Sequence, residues 1–145
     1  MTRTFRSGGV ASDSRDIISM QGYATTNYYA TFRQLGAGSG YQVPSGKLFV
    51  MTRIVYSSAS AVYYAPHLLY GTSDVGLNAS GGPTGTVWLL GDGSTSYYSP
   101  LVTYMNEVTP MDVPLFLTVA AGYYPAFRSL GYAGGAYIEG YLETV

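Results

Sequence analysis

Gly46-Lys47, within YQVPSGKLFVMTRIVY (residues 41–56), is where this sequence comes nearest to a phosphate site. A phosphate loop needs a glycine, four residues, Gly-Lys and then Ser or Thr, with a helix following to lend its N-terminal dipole. Here Tyr41 stands where the first glycine belongs, Leu48 follows Lys47, and an apolar stretch rather than a helix follows. The pattern fails on all three counts. His67, the single histidine, has no GxSxG elbow anywhere in the chain and sits beside Pro66, so a hydrolytic triad is not expected. Glu139 and Glu143 share one face of a strand, but four residues at extended spacing set them ~13 Å apart. An inverting glycosidase pair reaches only ~9.5 Å. The remaining acids are scattered, and there is no cysteine, so no metal cluster or cofactor site is expected. Asn78-Ala79-Ser80 matches a glycosylation sequon, read as chance because no secretory signal is visible.

The elements that carry these residues read as strands. Pro44 and Gly46 suit turn positions i+1 and i+3, which delivers Lys47 to the start of a strand. Strict alternation then puts Leu48, Val50, Thr52, Ile54 and Tyr56 on one face, and Phe49, Met51, Arg53 and Val55 on the other. Both faces are largely apolar, so this strand is expected at the centre of a sheet, covered on its second side, with Arg53 seeking a carboxylate, carbonyls or solvent. Residues 113–120 alternate with Val113, Leu115, Leu117 and Val119 together; residues 137–143 alternate with Ile138 and Leu142 inward, and Tyr137, Glu139, Tyr141 and Glu143 outward.

Further strand signals fall at 22–35, 61–71, 84–91 and 94–105. Pro66 marks the second as an edge or bulged strand, and Asp92-Gly93 suggests a hairpin. Trp88 is read as core. Gly or Pro interrupts every window that would make a helix. Seven or eight strands without a fixed repeat imply an all-β protein, an antiparallel sandwich or barrel, as one domain over 21–145 behind an N-terminal arm over 1–20.

The composition excludes other classes. The chain has 145 residues, a net charge of −1 and 10% charged residues, so neither nucleic acid nor an anionic membrane is expected as partner. No apolar run approaches the ~20 residues of a membrane helix. In place of charge there are 16 tyrosines and 19 glycines. Tyrosine offers large contact area at low entropic cost, which suits a protein interface. Tyr pairs at 28–29, 63–64, 97–98 and 123–124 put one ring inward and one outward. The candidate contact residues are Tyr28, Tyr63, Tyr97, Tyr123, Tyr137 and Tyr141, with Arg3, Arg6 and Arg15 on an arm that orders against a neighbour.

Three motifs carry a resemblance: Val43-Pro44-x-Gly46-Lys47 opening a strand, Ala121-Gly122 closing a late one, and Gly140-Tyr141-x-Glu143 in the last. From residue 41 onward the chain resembles small jelly-roll proteins of tailed-bacteriophage virions. The Gly-rich stretch 71–85 and the final GYLE depart from that pattern. The resemblance implies a jelly-roll-like β-sandwich that serves as a capsid cement or decoration protein on the outer capsid surface of the virion. It binds the major capsid protein as a homo-oligomer, dimer or trimer, and has no enzymatic activity. The alternatives are a tail, fibre or head-spike protein that contacts the host, and a carbohydrate-binding sandwich whose tyrosines stack on sugar.

Overall fold

The computed structural model describes residues 16–58, 66–94, 111–131 and 133–145, and these form two antiparallel sheets without a helix. The strands are β1 (Ile18–Ala24), β2 (Tyr29–Thr31), β3 (Arg33–Gln34), β4 (Lys47–Ser58), β5 (His67–Gly71), β6 (Val87–Leu90), β7 (Met111–Ala120), β8 (Tyr124–Arg128) and β9 (Gly134–Thr144). A five-stranded sheet runs β3-β1-β9-β4-β7, and a four-stranded sheet β2-β8-β5-β6. Between them lies one core, in which Phe32, Phe49, Met51, Ile54, Tyr56, Leu68, Phe127 and Ile138 are fully buried. Phe127 anchors it, tilted on Phe32 at 5.2 Å and edge-on to Tyr56 at 6.5 Å. Side chains of this size each contribute roughly 1.5–3 kcal/mol on burial.

The all-β sandwich agrees with the sequence pattern, and so do the faces of β7 and β9. In β7, Val113, Leu115, Leu117 and Val119 are the more buried set and alternate with exposed partners. In β9, Gly134, Ala136, Ile138 and Gly140 are buried, while Tyr137, Glu139, Tyr141 and Glu143 share the other face.

Strand β4 departs from its expected alternation. Met51 pairs with Gly140 and Arg53 with Glu139, so Thr52 is an extra residue against β9. Met51 also pairs with Leu117 and Arg53 with Pro114, so two residues of β7 stand opposite Thr52. From Met51 to Ile54 the partner in β9 advances from Gly140 to Ile138, and that in β7 from Leu117 to Val113. Each strand spends one residue more than the last, which bends and twists the sheet. The inward set therefore changes parity: Phe49 and Met51, then Ile54 and Tyr56. Leu48 and Val50 share the outer face with Arg53 and Val55, not with Ile54 and Tyr56.

Other boundaries also move. Ile18, Ser19 and Met20 belong to β1, and Met20 is buried, so the domain begins before residue 21. The stretch 22–35 is not one strand. The chain leaves β1 through a turn closed by Tyr28 N to Thr25 O at 3.0 Å, with Asn27 at φ 64°, joins the other sheet as β2, and returns as β3. Pro66 immediately precedes β5, which is interior, between β8 and β6, and not an edge; the bulge expected as the alternative is there, as a register shift between Leu68 and Leu69 in the pairing with β6. In the turn before β4, Lys47 N donates to Pro44 O at 3.2 Å, which makes Pro44 residue i and puts Gly46, at φ 73°, at i+2. A β-carbon is disfavoured there, so glycine is required. The expected strand over 94–105 falls mostly outside the described residues.

The three motifs that carry the resemblance meet at one end of the sandwich. Val43 N donates to Tyr123 O at 3.0 Å, Gly122 N to Val43 O at 2.8 Å, and Val145 N to Gly46 O at 3.1 Å. Lys47 Nζ donates to Thr144 Oγ1 at 2.8 Å, so the lysine ties β4 to β9. Its role is structural, in agreement with the failed phosphate-loop pattern.

Candidate contact face

A sandwich has two outer sheet faces, and here they differ. Loops close over that of the four-stranded sheet, and glycines let them approach. A β-carbon on Gly71 would meet Pro83 at 2.6 Å, one on Gly82 would meet Tyr29 at 3.1 Å, and one on Gly91 would meet His67 at 2.2 Å. Beneath the loops, Trp88 packs edge-on to His67 at 6.1 Å and tilted to Tyr29 at 6.4 Å, and the Arg128 guanidinium lies over Tyr29 at 5.1 Å. Trp88 thus belongs to a small cluster under the loops and not to the core between the sheets. His67 is buried, and its Nδ1 accepts a hydrogen bond from Gly93 N at 2.9 Å. An acceptor at Nδ1 makes the imidazole neutral, with its proton on Nε2. It pins a turn. Arg128 donates Nε to Asn27 O at 3.0 Å and Nη1 to Gly93 O, and so ties the same turn to β8.

The outer face of the five-stranded sheet differs: Tyr23 and Phe116 are exposed on it, while Val50 is buried. At its centre Arg53 donates Nε and Nη2 to the two oxygens of Asp112, at 2.9 and 2.7 Å, and Nη1 to Glu139 Oε1 at 2.6 Å. The hydrogen bond to Asp112, then that to Glu139, raises the Arg53 pKa further above its already high value. The hydrogen bond from Arg53 holds Asp112 below the ordinary carboxylate value. The Tyr137 hydroxyl lies 3.1 Å from Glu139 Oε1 and 3.0 Å from Ser19 Oγ. Having one proton, it donates to the carboxylate and accepts from the serine. Tyr141 and Val50 pair on this face, as do Tyr137 and Val55. Phe116 stands out from β7 with 75% of its surface exposed, and Tyr23 from β1 with 49%.

At one edge, Asp74 fastens the loop after β5. Its carboxylate accepts from Gly40 N at 2.7 Å and Gly76 N at 2.8 Å. Burial pushes its pKa upward, but these bonds, the Thr31 hydroxyl and the Arg33 charge outweigh that and hold it low.

Of the contact residues expected from sequence, Tyr137 and Tyr141 come together on this face. Tyr28 is in the turn before β2. Tyr123 turns in against Tyr70, ring centroids 4.9 Å apart, and packs on the core, so it is not on this face. Arg3, Arg6, Arg15, Tyr63 and Tyr97 lie outside the described residues. Sequence reasoning missed Tyr23, Phe116 and the Arg53–Asp112 pair. Phe116 showed only as a residue opposite the apolar set of 113–120 and Tyr23 only as part of an expected strand over 22–35, and the pair needed the β4–β7 register. Among the described residues no group of His, Asp and Glu is placed to hold a metal. The chain matches no protein-family model, no curated protein and no solved structure.

Proposed function

We propose that this protein is a structural component of a virion, a cement protein that binds the major capsid protein on the outer capsid surface and stabilises the shell as a homo-oligomer. The observation that carries this reading is the asymmetry of the sandwich. Loops cover one sheet, while the other offers a rigid face of Tyr23, Tyr137, Tyr141 and Phe116 around a locked arginine. Aromatic residues and arginine with little uncompensated charge are the composition of a protein interface core. The division of strands supports the jelly-roll reading. Leaving out the two-residue β3, the described strands divide four and four between two antiparallel sheets, β1-β9-β4-β7 and β2-β8-β5-β6, in keeping with the eight-stranded, two-sheet jelly roll used by viral capsid and lectin domains. Repetition of one contact over a shell then adds avidity to an interface of modest area.

Mixing purified protein with expanded capsid shells tests the reading. Saturable binding at a fixed ratio to capsid protein, with dimers or trimers by size exclusion and light scattering, is the expected result. Binding to host cells and not to shells would reassign the face to a tail or spike protein, and binding to a glycan array alone would reassign it to sugar.

A further inference from the structure

The outer face of the five-stranded sheet carries a groove whose floor is a glycine with no internal reason to be one. Most glycines beside it are explained from within. A β-carbon on Gly22 would approach Phe127 Cε1 to 2.8 Å, on Gly134 the Tyr56 hydroxyl to 2.2 Å, and on Gly140 the Val50 carbonyl to 2.2 Å. At Gly135 the nearest described atom would be Gly22 O, 3.8 Å away, an ordinary contact, and Gly135 is not among the positive-φ residues. Glycine weakens a strand by roughly 0.5–1 kcal/mol relative to alanine. An aromatic ring folded across the glycine is one way a sheet shields such a position. Tyr23 is the cross-strand partner of Gly135, yet no atom of its ring comes within 4 Å of where a β-carbon would stand. The floor is left bare.

Above it is a hollow of about 450 Å³, with Tyr23, Val55 and Leu77 as apolar walls and Arg33 and Ser57 as polar ones. A second hollow of about 240 Å³, walled by Leu35 and Ser19, adjoins it across the Gln21–Tyr137 pair, which lines both. Leu77 and Leu35 remain 43% and 82% exposed. Arg33 is the one charged residue in the two linings, and neither holds an acid. Its Nε is buried without an acceptor among the described residues, and its Nη1 makes only a long 3.4 Å bond to Gly38 O. Asp74, nearby, commits both oxygens to backbone N–H groups.

We propose that this groove receives an extended segment of a partner protein, which seats one apolar side chain over Gly135, a second in the hollow beside Leu35, and a carboxylate against Arg33. The proposal rests on the assembly reading and names the part of the partner that the face recognises. Two apolar hollows side by side suit a polypeptide that presents successive side chains. Aliphatic walls at Val55, Leu77 and Leu35 suit it better than a hydroxyl-rich sugar. The chain's own leading segment is the wrong occupant by charge, since its three arginines, Arg3, Arg6 and Arg15, outnumber Asp13 and Asp16 and would meet another arginine.

The test is a titration of ¹⁵N-labelled full-length protein with synthetic extended peptides. Each carries two leucines at varied spacing with Asp, Asn or Lys between them. At one spacing the Asp peptide is expected to shift the amides of Gln21, Arg33 and Gly135 and to bind at least tenfold tighter than its Asn and Lys counterparts. Gly135→Val puts a side chain on the floor, its β-carbon no nearer than 3.8 Å to a described atom, and should weaken all peptides at least tenfold at a melting temperature no lower than that of the unmodified protein. Arg33→Gln should abolish the preference for Asp over Asn while leucine-dependent binding persists. Absence of shifts with every peptide, equal binding of Asp and Asn peptides, or shifts with maltoheptaose or oligogalacturonate instead would overturn the inference. Shell binding separates the two proposals. If Gly135→Val saturates shells as well as the unmodified protein does, the groove is refuted and the cement role stands. If the protein ignores shells but binds the Asp peptide, the reverse holds.

Discussion

Arg53 reaches Asp112 diagonally across the β4–β7 ladder: its own partner there is Pro114, and Asp112 pairs with Val55. Two hydrogen bonds join their side chains, while Glu139, directly opposite Arg53 in β9, takes the third. One guanidinium thus crosslinks three strands on the outer face of the sheet.

The clasp predicts a pH dependence. The folded pKa of Asp112 lies below the ordinary value of 3.8, so its contribution is present above that value and is lost as pH falls through the folded pKa. Asp74 behaves in the same sense. Thermal melts from neutral to strongly acidic pH should show Asp112→Asn less stable than the unmodified protein at neutral pH and equal to it in acid. Since the pair is solvent-exposed, ~1 M salt should shrink the neutral difference. A gap that is constant with pH would refute the assignment.

The extra residue in β4 predicts a distinction between removing Thr52 and replacing it. Deletion restores simple alternation, so Phe49, Met51, Ile54 and Tyr56 stay inward, but the mismatch with β7 widens from one residue to two. Near-UV circular dichroism should still show a cooperative transition in the deletion, at a lower midpoint. Thr52→Val loses only the 3.3 Å bond to Glu139 O and should fold, at a cost of about 0.5–1.5 kcal/mol.

Adjacent glycines in β9 should respond oppositely to alanine. Gly134→Ala drives a methyl into the Tyr56 hydroxyl, which is buried and bonded to Ser129 Oγ at 3.2 Å, and should cost about 1–3 kcal/mol. Gly135→Ala meets nothing and should gain about 0.5–1 kcal/mol. Urea denaturation of the two variants is sufficient, and equal effects would count against the open floor.

Exposure of Phe116 predicts a separation of binding from stability. Phe116→Asp should melt as the unmodified protein does, because an exposed position of this kind shifts stability by only about ±0.5 kcal/mol. Its affinity for capsid shells should fall at least tenfold in a sedimentation assay. Retained affinity would place the contact elsewhere.

His67 predicts a purely structural penalty. His67→Phe leaves the Gly93 N–H buried without its acceptor, which should cost about 1–3 kcal/mol by denaturant titration.

Local pattern was enough for much of this molecule. The alternation of β7 and β9, the all-β pattern of the described residues and the glycine turn before β4 all follow from neighbours in sequence, because a strand's side chains must alternate and a left-handed turn residue must lack a β-carbon. The candidate site was only half legible. Tyr137 and Tyr141 declared themselves by alternating with Ile138 and Leu142. Tyr123 looked equivalent, but whether a ring beside a turn points out or in depends on what lies across from it, and that is Tyr70.

Three things waited for the tertiary structure. The parity of β4 changes at Thr52 because β7, β4 and β9 spend different numbers of residues over one interval, which no single strand records. Asp112 finds Arg53 across 59 residues of chain through that register. The choice of which sheet the described loops cover was made by glycines that fit against Tyr29, His67 and Pro83. Pairing and coverage are relations between distant segments, so they are set by how surfaces meet, while alternation and turn geometry are properties of the chain itself.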